Sequence, residues 1–123
     1  MPKNPKFSFL NRIKSFKYAF NGLRFFFIND HNGWVHSFAA VAAICLSFYL
    51  NLSGLEWIAI LSAITVVFVA EIINSSIEKL ADVVSPDYHP KIKIVKDLAA
   101  AAVLVAAFFA TAVAGIIFFS KLF

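Results

Sequence analysis

Three long apolar runs fill most of the chain after residue 30, and short polar segments separate them. The runs cover about 34–52, 55–84 and 92–119. A helix that crosses the hydrocarbon core of a bilayer needs about 17–25 predominantly apolar residues, so each run is long enough to cross. The pattern predicts three transmembrane helices, of which the second continues beyond the bilayer to about residue 84.

Residues 7–29 follow a different pattern, because large apolar residues and basic residues each recur every three or four positions. On a helix, such spacings place the two sets on different faces. A helix of this kind lies in the membrane interface with its apolar face toward the acyl chains, so the sequence predicts an amphipathic surface helix. The apolar set is Phe9, Ile13, Phe16, Phe20, Leu23 and Phe27, and the polar set is Lys14, Lys17, Asn21 and Arg24.

The composition indicates a membrane protein with a single domain, residues 1–123. Hydrophobic residues make up 61% of the chain and the mean hydropathy is +0.81, whereas soluble domains are about 45–50% apolar. The net charge of +4 comes from basic residues that flank apolar runs, which indicates membrane orientation rather than nucleic-acid binding. A chain this short has little surface to enclose a catalytic cavity alone, so an enzymatic function would favour an oligomer.

The basic residues also predict the orientation of the chain. With three spans, those at 3–24, at Lys79 and at 91–96 lie on one side of the membrane, and the 51–56 connection on the other side carries none. Cytoplasmic segments carry an excess of lysine and arginine. We therefore expect a multi-pass protein with its N-terminus in the cytoplasm.

One helix face breaks the apolar pattern of the second span. Glu71, Asn74, Glu78 and Asp82, here called the polar stripe, are separated by three, four and four positions, which return to one face of an α-helix. A carboxylate at the centre of a bilayer costs about 2.5–3.5 kcal/mol on insertion scales, and such residues normally face a bundle interior or a wet cavity. The polar stripe is therefore the candidate functional site.

The polar stripe reaches the predicted cytoplasmic surface, where Lys96 and Asp97 begin the third span. Mg²⁺ is held in proteins by one or two carboxylates and completes its shell with water and phosphates, and a lysine can meet a phosphate as a point charge. Glu71 lies deeper and could take a proton from a group on the lipid side. These residue types suit phosphoryl transfer from a cytoplasmic nucleotide to a hydroxyl at the membrane surface.

The residues alone leave other functions open. The chain has no Gly-x-x-x-x-Gly-Lys phosphate loop and no protein-kinase signature set. A proton or cation pathway along the polar stripe ranks equally with a kinase on this basis, although a pathway needs acids throughout the bilayer depth and the outer halves of the spans carry only Glu56. A non-catalytic membrane scaffold is the third hypothesis, and in a scaffold Glu71 would be dispensable.

A longer motif carries a resemblance to a known family. It reads Glu71-x-x-Asn74-Ser-Ser-Ile-Glu78-x-x-x-Asp82, then Ser85-Pro86-x-x-His89, then Val95-Lys96-Asp97-Leu98-Ala99-Ala100-Ala101-Ala102-Val103-Leu104. From about Arg12 to about Gly115 the chain resembles the bacterial diacylglycerol kinase and undecaprenol kinase family.

This resemblance implies a fold, an assembly and a reaction. The fold is an all-α membrane protein with three transmembrane helices and an N-terminal amphipathic surface helix. The assembly is a homotrimer in the bacterial cytoplasmic (inner) membrane, with active sites between subunits. The reaction uses ATP as phosphoryl donor and Mg²⁺ as cofactor, and it phosphorylates a lipid alcohol, either diacylglycerol or undecaprenol. The expected partners are ATP, the lipid substrate, membrane lipids and further copies of this chain.

The resemblance also implies roles for individual residues. Glu71 corresponds to the catalytic base that takes the proton from the lipid hydroxyl. Asp30 and Glu78 correspond to the Mg²⁺ ligands, and Asp30 stands where the family usually has a glutamate, which is one methylene longer. The residues expected at the nucleotide and its phosphates are Tyr18, Asn74, Glu78, Lys96 and Asp97.

Simpler structural roles exist for three of these residues. Asp97 could cap the third membrane helix, where the helix dipole favours an acid. Lys96 could extend toward the headgroups, and Asn74 could hydrogen-bond between helices. These alternatives describe anchors and packing groups rather than parts of a nucleotide site.

The three histidines, His31, His36 and His89, share no spacing, so we expect them at the membrane interface rather than as ligands. The segment from Asp30 to His36 resembles the undecaprenol kinase branch more closely, because His36 stands where some family members carry an acid. The motif itself does not choose between undecaprenol and diacylglycerol.

Overall fold

A computed structural model describes residues 8–123, and this part of the chain is almost entirely helical. Residues 1–7, with the predicted start of the surface helix at Phe7, lie outside the described residues. The four helices are α1 (Phe9–Asn29), α2 (His31–Tyr49), α3 (Gly54–Val84) and α4 (Pro90–Leu122).

A single residue, Asp30, separates α1 from α2. Its backbone N–H donates to Phe26 O and ends α1, and its side-chain Oδ1 accepts a hydrogen bond of 3.0 Å from the backbone N–H of Asn32 and starts α2. An aspartate is a favourable N-cap. Helix α2 therefore begins at His31, three residues before the expected start of the first span at Trp34.

The connection between α2 and α3 is short because both of its ends are capped. Asn51 adopts a left-handed conformation with φ 53°, which asparagine tolerates better than most residues. Ser53 Oγ then accepts from the backbone N–H of Glu56 at 3.2 Å, and Glu56 Oε1 accepts from the backbone N–H of Ser53 at 2.9 Å. This capping box starts α3 directly after the turn.

Helix α4 begins at Pro90, earlier than the expected start at residue 92. The His89 side chain accepts from the backbone N–H of Lys91 at 3.1 Å and caps the helix, and proline suits the first helical position because its missing N–H would have no intrahelical partner. Asp97 therefore lies well inside α4. The interpretation of Asp97 as the cap of this helix is wrong.

Helix α4 packs along α3 over most of its length, and α2 contacts α3 on another face. The contacts use small and medium side chains, including Ala63 and Val67 of α3 and Ala99 and Ala106 of α4, all of which are buried. Small residues let helix backbones approach closely in an apolar solvent, where no hydrophobic effect drives the helices together.

Ion pairs join both ends of the α3–α4 hairpin. Lys121 Nζ lies 3.1 Å from Glu56 Oε1 at the end near the α2–α3 turn. Lys96 Nζ lies 2.6 Å from Asp82 Oδ1 at the opposite end. The two pairs hold the register of the long antiparallel helices, which in turn sets the depth of every residue on α3 relative to α4.

Gly33 determines how closely α1 approaches α2. A Cβ atom at this position would lie 3.0 Å from Phe26 Cε2 and 3.2 Å from the Phe26 carbonyl oxygen. Trp34 Nε1 donates to the Phe27 carbonyl oxygen across the same junction. The absence of a side chain at Gly33 thus allows the end of α1 to fold back against the start of α2.

We expect Gly33→Ala to destabilise this junction by about 1–3 kcal/mol, the usual cost of overpacking. The thermal unfolding midpoint of the purified protein in detergent should fall by several degrees. Gly22→Ala is the matched control, because a Cβ atom at Gly22 meets nothing within 4 Å. Equal unfolding temperatures for Gly33→Ala and the wild type would show that the α1–α2 contact is unimportant.

The chain exposes more surface than a compact soluble monomer of its mass, and much of this surface carries large apolar side chains. Its accessible surface is 9235 Å², whereas a compact monomer of 13.6 kDa is expected to expose about 6,600 Å². Large apolar side chains are exposed on all four helices, among them Phe16, Phe38, Leu61 and Phe108. Exposure on this scale indicates contact with lipid or with further protein chains.

Within residues 8–123, α3 and α4 are the two helices long and apolar enough to cross a membrane by length and composition. Helix α2, the first predicted span, is not among them; it has 19 residues and begins with the polar sequence His31-Asn32. The all-helical membrane fold therefore agrees with the sequence pattern, with two helices that meet the requirements of a span.

Candidate active site

The polar stripe changes in burial along α3. Glu71 is 2% exposed and Asn74 is 7% exposed, whereas Glu78 and Asp82 are exposed. Glu71 and Asn74 continue the buried face that begins with Ile60, Ala63 and Val67. The polar stripe therefore leads from the interior of the helix bundle to the end of α3 that carries the 85–89 loop.

The buried Glu71 carboxylate contacts a histidine from another helix. His36 Nε2 lies 2.8 Å from Glu71 Oε1, and their side chains are 25% and 3% exposed. A carboxylate accepts hydrogen bonds and an imidazole N–H donates them, so His36 donates to Glu71. Pairing of this kind offsets part of the cost of burying the carboxylate.

His36 is the functional contact that sequence reasoning missed, since all three histidines were expected at the interface without a ligand role. The two residues are 35 positions apart, so no helical periodicity relates them. One signal was available, because His36 and Glu71 lie at similar distances along the chain from the α2–α3 turn. In two antiparallel helices joined by a short turn, such residues lie at about the same depth.

Asn74 carries the buried side-chain oxygen that has no hydrogen-bond partner within residues 8–123, its Oδ1 atom. The residue lies at a groove of about 640 Å³ between α3 and α4, beside Ala99, Ala102 and Ala106. A buried polar atom without a partner costs about 1–3 kcal/mol. Asn74 therefore presents an acceptor that a group from outside this chain could satisfy.

The exposed end of the polar stripe meets the first turns of α4. Lys96 Nζ donates to Asp82 Oδ1 at 2.6 Å, and the Glu78 charge also acts on Lys96. Lys93 Nζ donates to Asp97 Oδ2 at 2.6 Å, one turn along the same helix. Two carboxylates of α3 and one ammonium group of α4 thus meet at the surface, and Asp97 faces Lys93 instead.

Within residues 8–123, two of the predicted site residues share no hydrogen bond or ion pair with this group. Asp30 sits at the junction of α1 and α2, where its carboxylate caps α2. Tyr18 is 42% exposed and lies on the part of α1 that precedes the contacts of Phe25, Phe26 and Phe27 with α3.

Of the two carboxylates expected to bind Mg²⁺, Glu78 and Asp30, only that of Glu78 makes no hydrogen bond in the described part of the chain. Within residues 8–123 no three side chains of the His, Cys, Asp and Glu types converge as a metal-binding group. Mg²⁺ does not require such a group, because it is bound by one or two carboxylates together with substrate phosphates and water. The exposed Glu78 carboxylate suits this mode, whereas the Asp30 carboxylate is engaged at the helix junction.

An apolar cavity of about 230 Å³ opens between α2, α3 and α4. Alanines of α2 and α4 line it together with apolar residues of α3 such as Val67 and Phe68. His36 belongs to its lining at the end nearest Glu71. His36 therefore lies between this apolar space and the buried Glu71 carboxylate.

Several known proteins are similar to this chain over most of its length. A family model described as prokaryotic diacylglycerol kinase matches residues 17–118. The chain is 36% identical to an undecaprenol kinase of Bacillus subtilis over 114 residues, which are 92% of this chain and 93% of that protein. It is 31% identical to a diacylglycerol kinase of Escherichia coli K12 over 98 residues, 80% of each chain.

A diacylglycerol kinase of Synechocystis is 35% identical over 106 residues, 85% of this chain, and this chain spans 61% of that relative's length. The family match begins within α1 and ends within α4, so it includes the polar stripe, His36 and Lys96. The resemblance inferred from the Glu71-to-Leu104 motif is confirmed. The chain belongs to the prokaryotic diacylglycerol kinase family.

Proposed function

We propose that this protein is a membrane lipid kinase that transfers the γ-phosphoryl group of ATP to the hydroxyl group of a lipid alcohol. The observation that carries the proposal is the buried Glu71, held by His36 beside an apolar cavity and followed on the same helix by exposed carboxylates that meet Lys96. The relatives named diacylglycerol kinase and undecaprenol kinase support the same reaction class.

Glu71 acts as the general base in this proposal. A lipid hydroxyl that approaches along the apolar cavity gives its proton to the Glu71 carboxylate, and the hydroxyl oxygen forms a bond to the γ-phosphorus. The bond from the γ-phosphorus to the bridging oxygen breaks, and the electron pair leaves with ADP. Catalysis of this kind depends mainly on positioning and charge stabilisation.

The exposed end of the polar stripe holds the nucleotide. Lys96 places a positive charge beside the phosphates, and Asp82 orients it through their 2.6 Å contact. Asn74 accepts a hydrogen bond from the bound substrates through Oδ1, the atom without a partner in this chain. Glu78 and Asp30 would hold Mg²⁺, Asp30 through the carboxylate oxygen that does not cap α2, and the ion would supply charge neutralisation at the ATP phosphates. Tyr18 and Asp97 complete the nucleotide site.

We also propose three membrane spans, α2 to α4, with α1 on the cytoplasmic surface of the bacterial inner membrane. The His36–Glu71 contact supports this topology, because it places α2 at the same depth as the spanning helix α3. The distribution of lysine and arginine supports a cytoplasmic N-terminus.

A homotrimer is the proposed assembly, with each active site shared between subunits. Three observations within residues 8–123 support it: the 9235 Å² of exposed surface, the unpaired Asn74 Oδ1, and the lack of a hydrogen bond or ion pair that joins Asp30 or Tyr18 to the Glu78–Lys96 group. A neighbouring copy could bring its own α1 and Asp30 to the polar stripe. Symmetric closed rings are the common way in which identical chains share sites.

The ion-pathway alternative is not favoured. Family membership supports a kinase, and the carboxylates of the polar stripe lie toward one end of α3. The other α3 acid, Glu56, is at the opposite end and pairs with Lys121. A proton or cation pathway needs polar groups along the membrane depth, and the face between Glu56 and Glu71 is apolar at Ile60, Ala63 and Val67.

The test is a phosphate-transfer assay with the purified protein in mixed micelles, labelled ATP and either diacylglycerol or undecaprenol. We expect transfer to a lipid alcohol that stops when Mg²⁺ is chelated, and faster transfer to undecaprenol, because the Bacillus subtilis relative matches this chain almost end to end. A folded protein that phosphorylates neither lipid would contradict the proposed function. Faster transfer to diacylglycerol would contradict only the choice of lipid.

A further inference from the structure

Within residues 8–123, the Glu71 carboxylate makes one side-chain hydrogen bond, to His36 Nε2. The neighbouring surface is apolar: the cavity beside the pair is lined by alanines and by Ile60, Val67 and Phe68. A carboxylate in such surroundings has few partners that could define its rotamer. The position of its oxygens therefore depends on the imidazole of His36.

The imidazole itself is held in place by aromatic packing. The Phe68 ring lies 6.5 Å from the His36 ring at an interplanar angle of 73°. Phe68 in turn contacts Phe26 and Phe27 at the end of α1, at 6.5 Å and 5.7 Å between ring centroids. Edge-to-face aromatic contacts of this kind favour a defined ring orientation, so His36 is a pre-oriented donor.

We propose that His36 is the positioning residue of the kinase: its Nε2–H holds Glu71 Oε1, so that the second oxygen, Oε2, faces the reaction as the proton acceptor. This inference rests on the proposed function, in which Glu71 is the base. In this proposal His36 acts through the Glu71 carboxylate and takes no proton from the lipid hydroxyl. The proton moves from the lipid hydroxyl to Oε2, the new bond joins the lipid oxygen to the γ-phosphorus, and ADP leaves with the electron pair of the broken bond.

Two amide substitutions at His36 test whether it positions Glu71 or only supplies a polar side chain at this site. In His36→Gln the amide nitrogen is as many bonds from Cα as Nε2 of histidine, so it can donate to Oε1 of Glu71. In His36→Asn the amide nitrogen is one bond closer to the backbone and falls short. Because a misplacement of 1 Å can cost about 10²-fold in rate, we expect kcat to fall about 10²-fold in His36→Asn and to be largely retained in His36→Gln.

The Michaelis constants for ATP and for the lipid should change by no more than about twofold in both variants. The reason is that losing an interaction made only in the transition state lowers kcat without changing KM. A merely structural role would lower the thermal unfolding midpoint in parallel with the rate. That midpoint, measured in the same detergent, should be similar for the two amide variants.

The second readout is a double-mutant comparison. In a Glu71→Gln background, His36→Asn should cause no further loss of the residual rate, because the group that His36 positions is already disabled. Equal kcat losses in His36→Gln and His36→Asn, or a full additional loss in the Glu71→Gln background, would overturn the positioning role. Failure of the wild type to phosphorylate any lipid would instead contradict the proposed function.

Discussion

Glu71→Gln is expected to lower the rate of phosphate transfer to the lipid by about 10³-fold, within the range that general-base catalysis supplies. Glutamine has nearly the same shape and can accept a hydrogen bond from His36 through its side-chain oxygen, so the local packing should persist. It cannot take a proton from the lipid hydroxyl at neutral pH. Initial rates in mixed micelles would measure the loss of phosphate transfer. Binding of a non-hydrolysable ATP analogue to the same preparation would show whether the nucleotide site is intact.

The matched control is Glu56→Gln, the same substitution on the same helix. Glu56 lies at the opposite end of α3, where it completes the capping box with Ser53 and pairs with Lys121, and glutamine preserves a capping box. Its turnover should remain close to that of the wild type. If Glu71→Gln retained turnover while nucleotide binding was intact, Glu71 would not be the base, and another group would have to take the proton of the lipid hydroxyl.

Mixing two inactive variants is expected to restore about a quarter of the wild-type activity if the sites lie between subunits of a cyclic trimer. The variants are Glu71→Gln, on α3, and Asp30→Asn, at the α1–α2 junction. Asparagine is as good an N-cap as aspartate, so α2 should still begin at His31. At equal amounts, about three quarters of random trimers contain both variants, and each of these has one intact site of three.

The control for this experiment mixes Glu71→Gln with Glu78→Gln. Both residues lie on α3 of the same chain, so every site in a mixed trimer keeps one defect and activity should stay at the level of the single variants. Recovery in this control would mean that α3 helices of different subunits share a site. No recovery with Glu71→Gln and Asp30→Asn would mean that one chain supplies both residues or that Asp30 is not needed.

Local patterns were sufficient to predict the helices and the polar stripe. Steps of three and four residues put Glu71, Asn74, Glu78 and Asp82 on one face because the α-helix repeats every 3.6 residues, whatever surrounds it. The long motif around them was also sufficient to predict the family, and the comparisons confirm it. Neither result depends on how the helices pack against each other.

The helix ends were harder to predict, because a cap is one local hydrogen bond rather than a periodic signal. The third apolar run was expected from about residue 92, whereas α4 begins at Pro90 behind the His89 cap. The surface helix was expected to end at residue 29 and the first span to begin at about residue 34, whereas Asp30 alone separates α1 from α2. In both cases a residue that disfavours the interior of a helix is well suited to its start.

The tertiary structure decided which charged group of α4 meets the polar stripe. Lys96 pairs with Asp82 across the α3–α4 hairpin, and Asp97 pairs with Lys93 on its own helix. Lys96 and Asp97 are adjacent in the sequence, and both were expected at the nucleotide. Adjacent residues on a helix point about 100° apart, so only the register of α4 against α3 determines which of them meets the polar stripe.

By itself, the sequence determined that this is a helical membrane protein of the diacylglycerol kinase family with a line of acids along one helix. Only the tertiary structure decided that the deepest of those acids, Glu71, is held by His36 beside an apolar cavity. The reason is physical: helical spacing relates residues a few positions apart, whereas a contact between residues 35 positions apart exists only after the α2–α3 turn has set the two helices side by side.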